Sequence, residues 1–412
     1  MATVINCISK YRKPDSMIPI SEALNIITRE TPRLSTENVE IVDVIGRVLA
    51  DDVIADMDMP PFDRSQMDGY AVRAINLENA PVELKIVGES AAGRGWHQEM
   101  KAGEAVRIMT GAPVPAGADA VQKVELTSEK DGVVTIEKSV NVGQSIVTKG
   151  VEIGKGETIF SAGTVITKNM IASLAAFGYA SVSVARRPRV TVLPTGTEIV
   201  EVGEKPRTDQ IRNSNAVMLK AFADKYGVAS TMPIARDDID DLKNKIKAAV
   251  SKSDILVITG GVSVGKYDLT KAALRDLGAE IFFERLRLKP GKPTVFARLG
   301  NALVFGLPGN PVSTAVTFYL FVQKAMLLMQ GAVQNDLRPG YAVLTKSGKG
   351  AKDRDSYLPA TLKTGNGGRL FAEPLKWGGS SDFVGFARAE ALIIVPAGKT
   401  FDEGDVVEIV FL

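Results

Sequence analysis

The apolar run Ile255-Leu256-Val257-Ile258 leads into Gly260-Gly261-Val262-Ser263-Val264-Gly265-Lys266-Tyr267-Asp268, and a helical pattern, Leu269 to Leu277, starts directly after it. Strand, glycine-rich turn, helix start: that order constrains the chain more than anything else in it. Glycines let backbone N–H groups converge, and a helix N-terminus adds its dipole, so such a unit is an anion cradle. The spacing approaches a nucleotide-binding P-loop, because Gly260 is followed after four residues by Gly265 and Lys266. That loop requires Ser or Thr next, to hold magnesium. Here Tyr267 follows, and then the carboxylate of Asp268. The turn predicts a phosphate-bearing ligand and argues against an ordinary NTPase.

The turn sits in an alternating pattern. Val190 to Leu193, Thr231 to Ile234 and Ile255 to Ile258 read as strands; Asn215 to Tyr226, Asp240 to Val250 and Leu269 to Leu277 read as helices. Strands alternating with helices of this length predict a parallel sheet with helices on both faces. Ligands of such sheets bind outside the C-terminal strand ends, where the glycine turn falls. Thr294 to Ala297 and Ala302 to Phe305 flank Leu299-Gly300-Asn301 and read as a hairpin. Asn310 is placed to cap a helix and Pro311 to open it, with the helix running to about Met329.

Other segments have a different character. A helix is expected from Ser21 to Glu30 with Ser21 as its cap, an extended segment over Val39 to Val42, and a short helix over Met170 to Phe177. From Val82 to Ile136 short alternating runs are split by Gly, Pro and Asp, the mark of a small β-rich domain. Arg186-Arg187-Pro188-Arg189 marks a boundary, the polar stretch from Gly331 to Pro339 a linker, and the tail from Tyr341 a further small β domain.

Composition removes several function classes. A chain of 412 residues is too long for one core. With 50 basic and 48 acidic residues there is no nucleic-acid footprint, so no nucleic-acid partner is expected. No apolar run spans a bilayer, since Phe318 to Met329 is interrupted by Gln323 and Lys324, and Met1 to Lys13 has no signal core. Cys7 is the only cysteine, which leaves no internal disulfide and makes a cytoplasmic location the expectation. One histidine, His97, lies in a polar stretch, so Cys/His zinc sites are excluded. Chemistry must rest on carboxylates, lysines, arginines, hydroxyls and backbone amides.

Candidates of those types cluster near the predicted strand ends. Lys289-Pro290-Gly291-Lys292-Pro293 puts two ammonium groups on a stiff turn, and Arg285 shares a face with Lys289 if the alternation is that of a strand. The run is either solvated surface or an anion site; the prolines favour the second, because fixed charges bind at lower entropic cost. Glu198 follows the strand Val190 to Leu193, within Pro194-Thr195-Gly196-Thr197-Glu198. Asp237 and Asp238 either cap the next helix or join Asp268 at the sheet edge, where few-ligand carboxylates suit Mg²⁺ held through a phosphate. Asp63 and Asp68 are turn residues or functional carboxylates, and Thr110-Gly111-Ala112-Pro113 is a turn that exposes a hydroxyl.

Taken together these segments resemble a known family. Pro60-Pro61-Phe62-Asp63-Arg64-Ser65-Gln66-Met67-Asp68-Gly69-Tyr70-Ala71-Val72 resembles the first signature of the molybdopterin molybdenumtransferase (molybdenum insertase) family, and Arg107 to Pro115 its second. Pro194 to Glu198, Gly260 to Gly265, Lys289 to Pro293 and Leu307-Pro308-Gly309-Asn310-Pro311-Val312-Ser313 complete six motifs in the family's order.

The resemblance implies an α/β multidomain fold in four parts: an elongated two-segment domain (1–58 plus 139–187), an inserted β domain (59–138), a central parallel-sheet α/β domain of the molybdopterin-binding type (188–331) and a C-terminal β domain (332–412). It also implies a homodimer with its active site between subunits. The implied reaction inserts molybdate into adenylylated molybdopterin and releases AMP, with Mg²⁺ as cofactor and the molybdopterin adenylyltransferase as upstream donor. By match to the family, Lys289, Lys292, Ser313, Arg354 and Ser380 are the molybdate positions, and Asp68, Thr110, Glu198, Asp237 and Asp268 the catalytic ones. Gly260, Gly261, Ser263, Gly265, Arg285, Pro308 and Asn310 then face the pterin-nucleotide, and Asp237 and Asp268 are the metal positions.

One segment departs from the family. In Ser145-Ile146-Val147-Thr148-Lys149-Gly150, Val147 stands where the family has an arginine, with Lys149 two residues on as the replacement charge. Molybdate and tungstate are tetrahedral dianions of similar size, so a tungstate-inserting paralogue remains open, as does a dimeric scaffold of the same fold.

Overall fold

The computed structural model describes residues 17–261, 269–375 and 379–412. The chain forms two compact units: Met1–Ala50, Ala162–Lys168 and Ser181–Leu412 make the first, Asp51–Ser161 and Asn169–Ala180 the second.

The first unit is built around a six-stranded sheet. Its strands are β1 (Arg189–Pro194), β2 (Val228–Thr231), β3 (Ile255–Thr259), β4 (Glu280–Phe283), β5 (Val295–Leu299) and β6 (Ala302–Leu307), in the spatial order β2-β1-β3-β6-β5-β4. β2, β1, β3 and β6 are parallel; the hairpin β5–β6, turning at Gly300 with φ +59°, makes one edge antiparallel. The central strands are buried on both faces, as their unbroken apolar runs require.

Helices cover both faces. On one side Val190, Val192, Ile255, Val257, Leu303 and Phe305 pack with Ala216, Leu219 and Ala223 of α1 (Ser214–Asp224) and with the helical run Pro311–Gln330. On the other, Leu193, Leu256, Ile258 and Val304 meet Leu242, Ile246 and Ala249 of α2 (Ile239–Val250) and Ala273 and Leu274 of α3 (Leu269–Asp276). Phe296, Phe305, Phe318 and Phe321 are fully buried, each worth about 1.5–3 kcal/mol of apolar burial.

The run Pro311–Gln330 has the length and composition of a membrane span, yet it is 89% buried inside the unit. Lys324, which breaks its apolar sequence, is retained because its ammonium donates to Asn335 Oδ1 at 2.6 Å and Asp336 Oδ1 at 2.8 Å. Gly331 stops the helix in the left-handed region at φ +87°, where a Cβ would also strike the Arg33 guanidinium.

Three local expectations are corrected. The strand expected at Thr231 to Ile234 lies earlier, at Val228–Thr231, and only Ala235 returns to the sheet, as an isolated bridge with Thr195. The first helix starts at Ile20 with Pro19, not Ser21, at the cap position, because this register buries Ile20, Ala23 and Ile27. The extended segment Thr36–Glu40 begins before Val39 and pairs with Ser181–Ala185.

The first unit also holds the C-terminal β domain. Asp355–Thr364 pairs with Leu370–Pro374 and with Ala391–Val395, and the pairings through Pro339–Leu344 and Val406–Phe411 close five strands into a barrel. Ala360, Ala372, Leu344, Ile393, Val395, Val407 and Ile409 fill it.

The second unit carries a six-stranded sheet ordered Ala120–Lys123, Gly69–Val72, Glu104–Ile108, Val82–Ser90, Val133–Ile136, Thr127–Lys130. Period-2 alternation divides its side chains: Tyr70, Val72, Ala105 and Val134 face one core, Ala71, Val106, Ile108 and Val121 the other. Trp96 lies against Gly88, where a Cβ would come within 2.2 Å of its Nε1.

Candidate functional site

At the C-terminal edge of the sheet the parallel strands β1, β3 and β6 run out into Thr195–Glu198, Gly260–Gly261 and Pro308–Asn310. Glu198, Gly260, Gly261, Pro308 and Asn310 line one cavity of about 730 Å³. The other wall comes from Lys289, Lys292, Ser313, Arg354 and Ser380. Residues more than 180 positions apart in sequence thus converge on one volume.

Each is placed by an identifiable device. Gly260 has φ +96°, and a Cβ there would lie 2.5 Å from the Thr195 carbonyl, so only glycine allows the close approach of the two strand ends. Thr195 N–H donates to the Thr259 carbonyl at 2.9 Å, and Gly260 N–H to that of Leu307 at 3.3 Å. Asn215 Nδ2 donates to the Gly309 carbonyl at 2.7 Å and to Thr259 Oγ1 at 3.1 Å, tying the Pro308–Asn310 turn to β3. Asn310 occupies the helix cap position before Pro311 but makes no side-chain cap; its amide instead donates to Ser380 Oγ at 2.8 Å. Val312 N–H donates to the Ser380 carbonyl at 3.0 Å, so the C-terminal domain is pinned to the start of the helix that carries Ser313.

The basic wall has a similar origin. The chain leaves the sheet after Phe283, and Leu288–Lys289 joins the C-terminal domain by pairing parallel with Asp355–Ser356. Arg354 directly precedes that pair, so the register itself brings the guanidinium to the lysine turn. Leu286 N–H donates to the Lys292 carbonyl at 2.9 Å and Thr294 Oγ1 to that of Gly291 at 2.7 Å, which closes the turn. Among the described residues neither Lys289 nor Lys292 is in salt-bridge contact with a carboxylate; Arg354 reaches Asp353 at 3.2 Å and holds that carboxyl below its usual range. Among the described residues Glu198 is the one carboxylate on the cavity wall. Three cations thus face one anion among the described residues, and the hydroxyls of Ser313 and Ser380 line the same cavity; such a set favours an oxyanion through charge-assisted bonds.

Other candidates lie elsewhere. Arg285 is not on the strand with Lys289 that its alternation suggested and does not line the cavity; its carbonyl accepts from Ile18 N–H at 3.1 Å. Asp238 caps α2, accepting from Asp240 and Asp241 N–H at 3.0 and 2.7 Å. Asp237 does not cap: its Oδ2 accepts from Thr197 Oγ1 at 2.9 Å and Thr197 N–H at 3.3 Å, beside Glu198 but outside the cavity wall. Ser263, Gly265 and Asp268 lie outside the described residues. Asn215 and Gly196 are the additions. Gly196 has φ +141°, and a Cβ there would meet Glu198 Oε2 at 2.4 Å, so its bareness allows the Glu198 carboxylate to fold back over the turn.

Asp68 and Thr110 belong to the second unit. Thr110 N–H and Oγ1 both donate to Asp68 Oδ1, at 2.7 and 2.8 Å, and these bonds hold the Asp68 carboxyl below its usual range. In the same unit Val147 pairs with Arg64, and the Lys149 ammonium lies 3.2 Å from Asp58. Asp63 Oδ1 accepts from Lys149 N–H at 2.7 Å.

Fold and site define an α/β multidomain protein with a basic, hydroxyl-lined pocket at a glycine-rich sheet edge. Three family models match in order: the MoeA N-terminal region (domain I and II) over residues 18–178, a probable molybdopterin binding domain over 191–327, and the MoeA C-terminal region (domain IV) over 341–412. The molybdopterin molybdenumtransferase of Bacillus subtilis strain 168 is 36% identical over 96% of this chain and 94% of its own. That of Staphylococcus aureus strain COL is 33% identical, over 95% of each. Two crystal structures of the molybdopterin biosynthesis MoeA protein from Pyrococcus horikoshii superpose with TM-scores of 0.80 and 0.85, at 33% and 28% identity, covering 96% of this chain and 99% and 100% of theirs. The chain belongs to the molybdopterin molybdenumtransferase family.

Proposed function

We propose that the protein completes molybdenum cofactor synthesis by inserting molybdate into adenylylated molybdopterin with release of AMP. One observation carries the assignment of the site: Lys289, Lys292, Arg354, Ser313 and Ser380 line a single cavity beside the Gly260–Gly261 turn. Five cationic or hydroxyl donors suit a tetrahedral dianion, and the glycine turn suits a phosphate. Nothing in the cavity wall need ligate the metal through sulfur, because the dithiolene brings its own two sulfurs.

The balance is simple. Two thiols and molybdate give two Mo–S bonds and one water; hydrolysis of the anhydride consumes one water and frees AMP. In this reading the lysines and Arg354 hold molybdate at the dithiolene and lower the repulsion between two anionic reactants, while the hydroxyls fix its orientation. Asp68, held ionised by Thr110, is a proton acceptor of the second unit in this scheme. Glu198, Asp237, Asp268 and the pterin-nucleotide positions keep the roles the family match gives them.

Mg²⁺ is part of the proposal. It binds through one or two carboxylates plus substrate phosphates, and so needs no dedicated cage. No group of three or more His, Cys, Asp or Glu is placed to hold a metal among the described residues. Asp237, tied through Thr197 to the turn that carries Glu198, would hold it together with Asp268 and screen the anhydride charge. A homodimer, a cytoplasmic location, delivery by the molybdopterin adenylyltransferase and the four-domain division given above complete the reading.

The test is AMP release from adenylylated molybdopterin by the purified protein as molybdate is varied. Release that depends on molybdate and falls sharply in Lys292→Ala supports the assignment; equal release without molybdate removes it.

A further inference from the structure

Thr197 meets Asp237 twice. Its hydroxyl donates to Asp237 Oδ2 at 2.9 Å, and its backbone N–H to the same oxygen at 3.3 Å. The backbone brings the two residues together. Thr195 and Ala235 form a parallel bridge, Ala235 N–H donates to the Pro194 carbonyl at 2.8 Å, and Gly196 N–H donates to that of Ala235 at 3.1 Å. Directly after Asp237 the chain is anchored again, because Asp238 caps α2. Sheet edge and helix start together set the Thr197–Asp237 geometry.

The second unit uses the same device. Thr110 gives its hydroxyl and its N–H to one oxygen of Asp68, Oδ1, at 2.8 and 2.7 Å. A carboxylate oxygen has two lone pairs, and two donors occupy both. In Asp237 that leaves Oδ1, which among the described residues takes part in no hydrogen bond or ion pair. Thr197 and Asp237 are both exposed, so the carboxylate is open to a ligand. The number of free oxygens bears on which cation it can hold. Ca²⁺ often takes both oxygens of a carboxylate in a loose shell, whereas the smaller Mg²⁺ demands a near-ideal octahedron, which single oxygens satisfy.

We infer that Thr197 is a positioning residue that restricts Asp237 to one-oxygen coordination and so selects Mg²⁺ against Ca²⁺. The inference rests on the proposed function, in which Asp237 holds the cation. Thr197 itself touches neither cation nor substrate; it acts by occupying Oδ2.

The experiment follows Mn²⁺ bound to the purified full chain, with AMP present, by electron paramagnetic resonance, and adds Mg²⁺ or Ca²⁺ as competitor. Wild-type protein should yield Mn²⁺ to Mg²⁺ at lower concentration than to Ca²⁺. Thr197→Val keeps the N–H and the side-chain shape but frees one lone pair of Oδ2, so the Mg²⁺ preference should shrink by about tenfold. Thr197→Ser keeps the hydroxyl and should restore the wild-type preference, which a merely structural role would not require. Asp237→Asn should weaken all three cations. Thr197 is exposed, so the valine variant should melt with the wild type; if it melts low, Thr197→Ala tests the same bond. A preference unchanged in the valine variant, one that serine does not restore, or Mn²⁺ affinity unchanged by Asp237→Asn overturns the inference. Wild-type protein that binds no Mn²⁺ also overturns it, while molybdate-dependent AMP release tests the proposed reaction separately.

Discussion

Asn310 Nδ2 lies 2.8 Å from Ser380 Oγ, and this bond joins the sheet-edge turn of the α/β domain to the barrel domain at the cavity that both residues line. It uses the side chain that the sequence offers as a helix cap. The helix forms without that cap because Pro311 presets its first residue and Thr314 Oγ1 donates to the Asn310 carbonyl at 3.0 Å. Asn310→Ala should leave the fold intact, costing about 1 kcal/mol, and weaken oxyanion binding by freeing Ser380. A melting curve with a molybdate titration on the same protein checks both.

The lysine turn is the most charged part of the site. Lys289→Ala removes one charged donor that has no carboxylate partner among the described residues, so folding should change little. Molybdate affinity should fall by roughly 10- to 100-fold, the equivalent of about 1.5–3 kcal/mol for a bond to a charged group. Equilibrium dialysis with molybdate reads this directly, and Lys289→Arg should recover only part of it, because a planar fork replaces a point charge.

Gly196 predicts a different pattern. Its φ of +141° is one that side chains rarely adopt, and a Cβ would meet the Glu198 carboxylate at 2.4 Å. Gly196→Ala should cost about 1–3 kcal/mol of stability through backbone strain and also displace Glu198. The loss of turnover should then exceed that of Glu198→Gln, which removes the charge without moving the turn; kcat for the two variants distinguishes them.

Acid sensitivity of the second unit should report the Arg107–Glu129–Tyr70 cluster. Hydrogen bonds first from Arg107 and then from Tyr70 bring the Glu129 carboxyl from its ordinary 4.5 to about 2. A depressed carboxylate pKa gives stability that is fully present above about 4.5 and is lost as pH falls toward 2. Glu129→Gln should therefore flatten the dependence of Tm on pH between those values while lowering Tm at neutral pH. An unchanged slope would remove the cluster from the acid response.

Much of the first unit is readable from period and punctuation. The apolar runs at Val190, Ile255 and Ala302 are too continuous for anything but strands buried on both faces, and they are. What failed were the places where the chain changes partner. Alternation from Arg285 to Lys289 looks like one strand, yet the backbone crosses from the α/β sheet to the barrel between them, and no local signal marks a change of sheet. Asp237 and Asp238 are adjacent and alike, but Asp238 caps α2 and Asp237 accepts from Thr197, because successive residues of the extended segment before the helix point in different directions. Arg354 and Ser380 could be tied to Lys289 only through family resemblance, since their proximity depends on the pairing of Leu288–Lys289 with Asp355–Ser356 and on the Ser380 contacts. Asn215 gave no signal at all: its position inside the first turn of α1 hides it among ordinary helix-start residues.

The central claim is that one cavity binds molybdate and that this binding drives cleavage of the adenylate. The direct measurement is the rate of AMP release from adenylylated molybdopterin by purified protein at increasing molybdate, in wild type and in Lys289→Ala. AMP should appear at a rate that saturates with molybdate, and Lys289→Ala should need roughly 10- to 100-fold more molybdate to reach half its maximum. No AMP at any molybdate concentration, or the same half-saturation in both proteins, would contradict it.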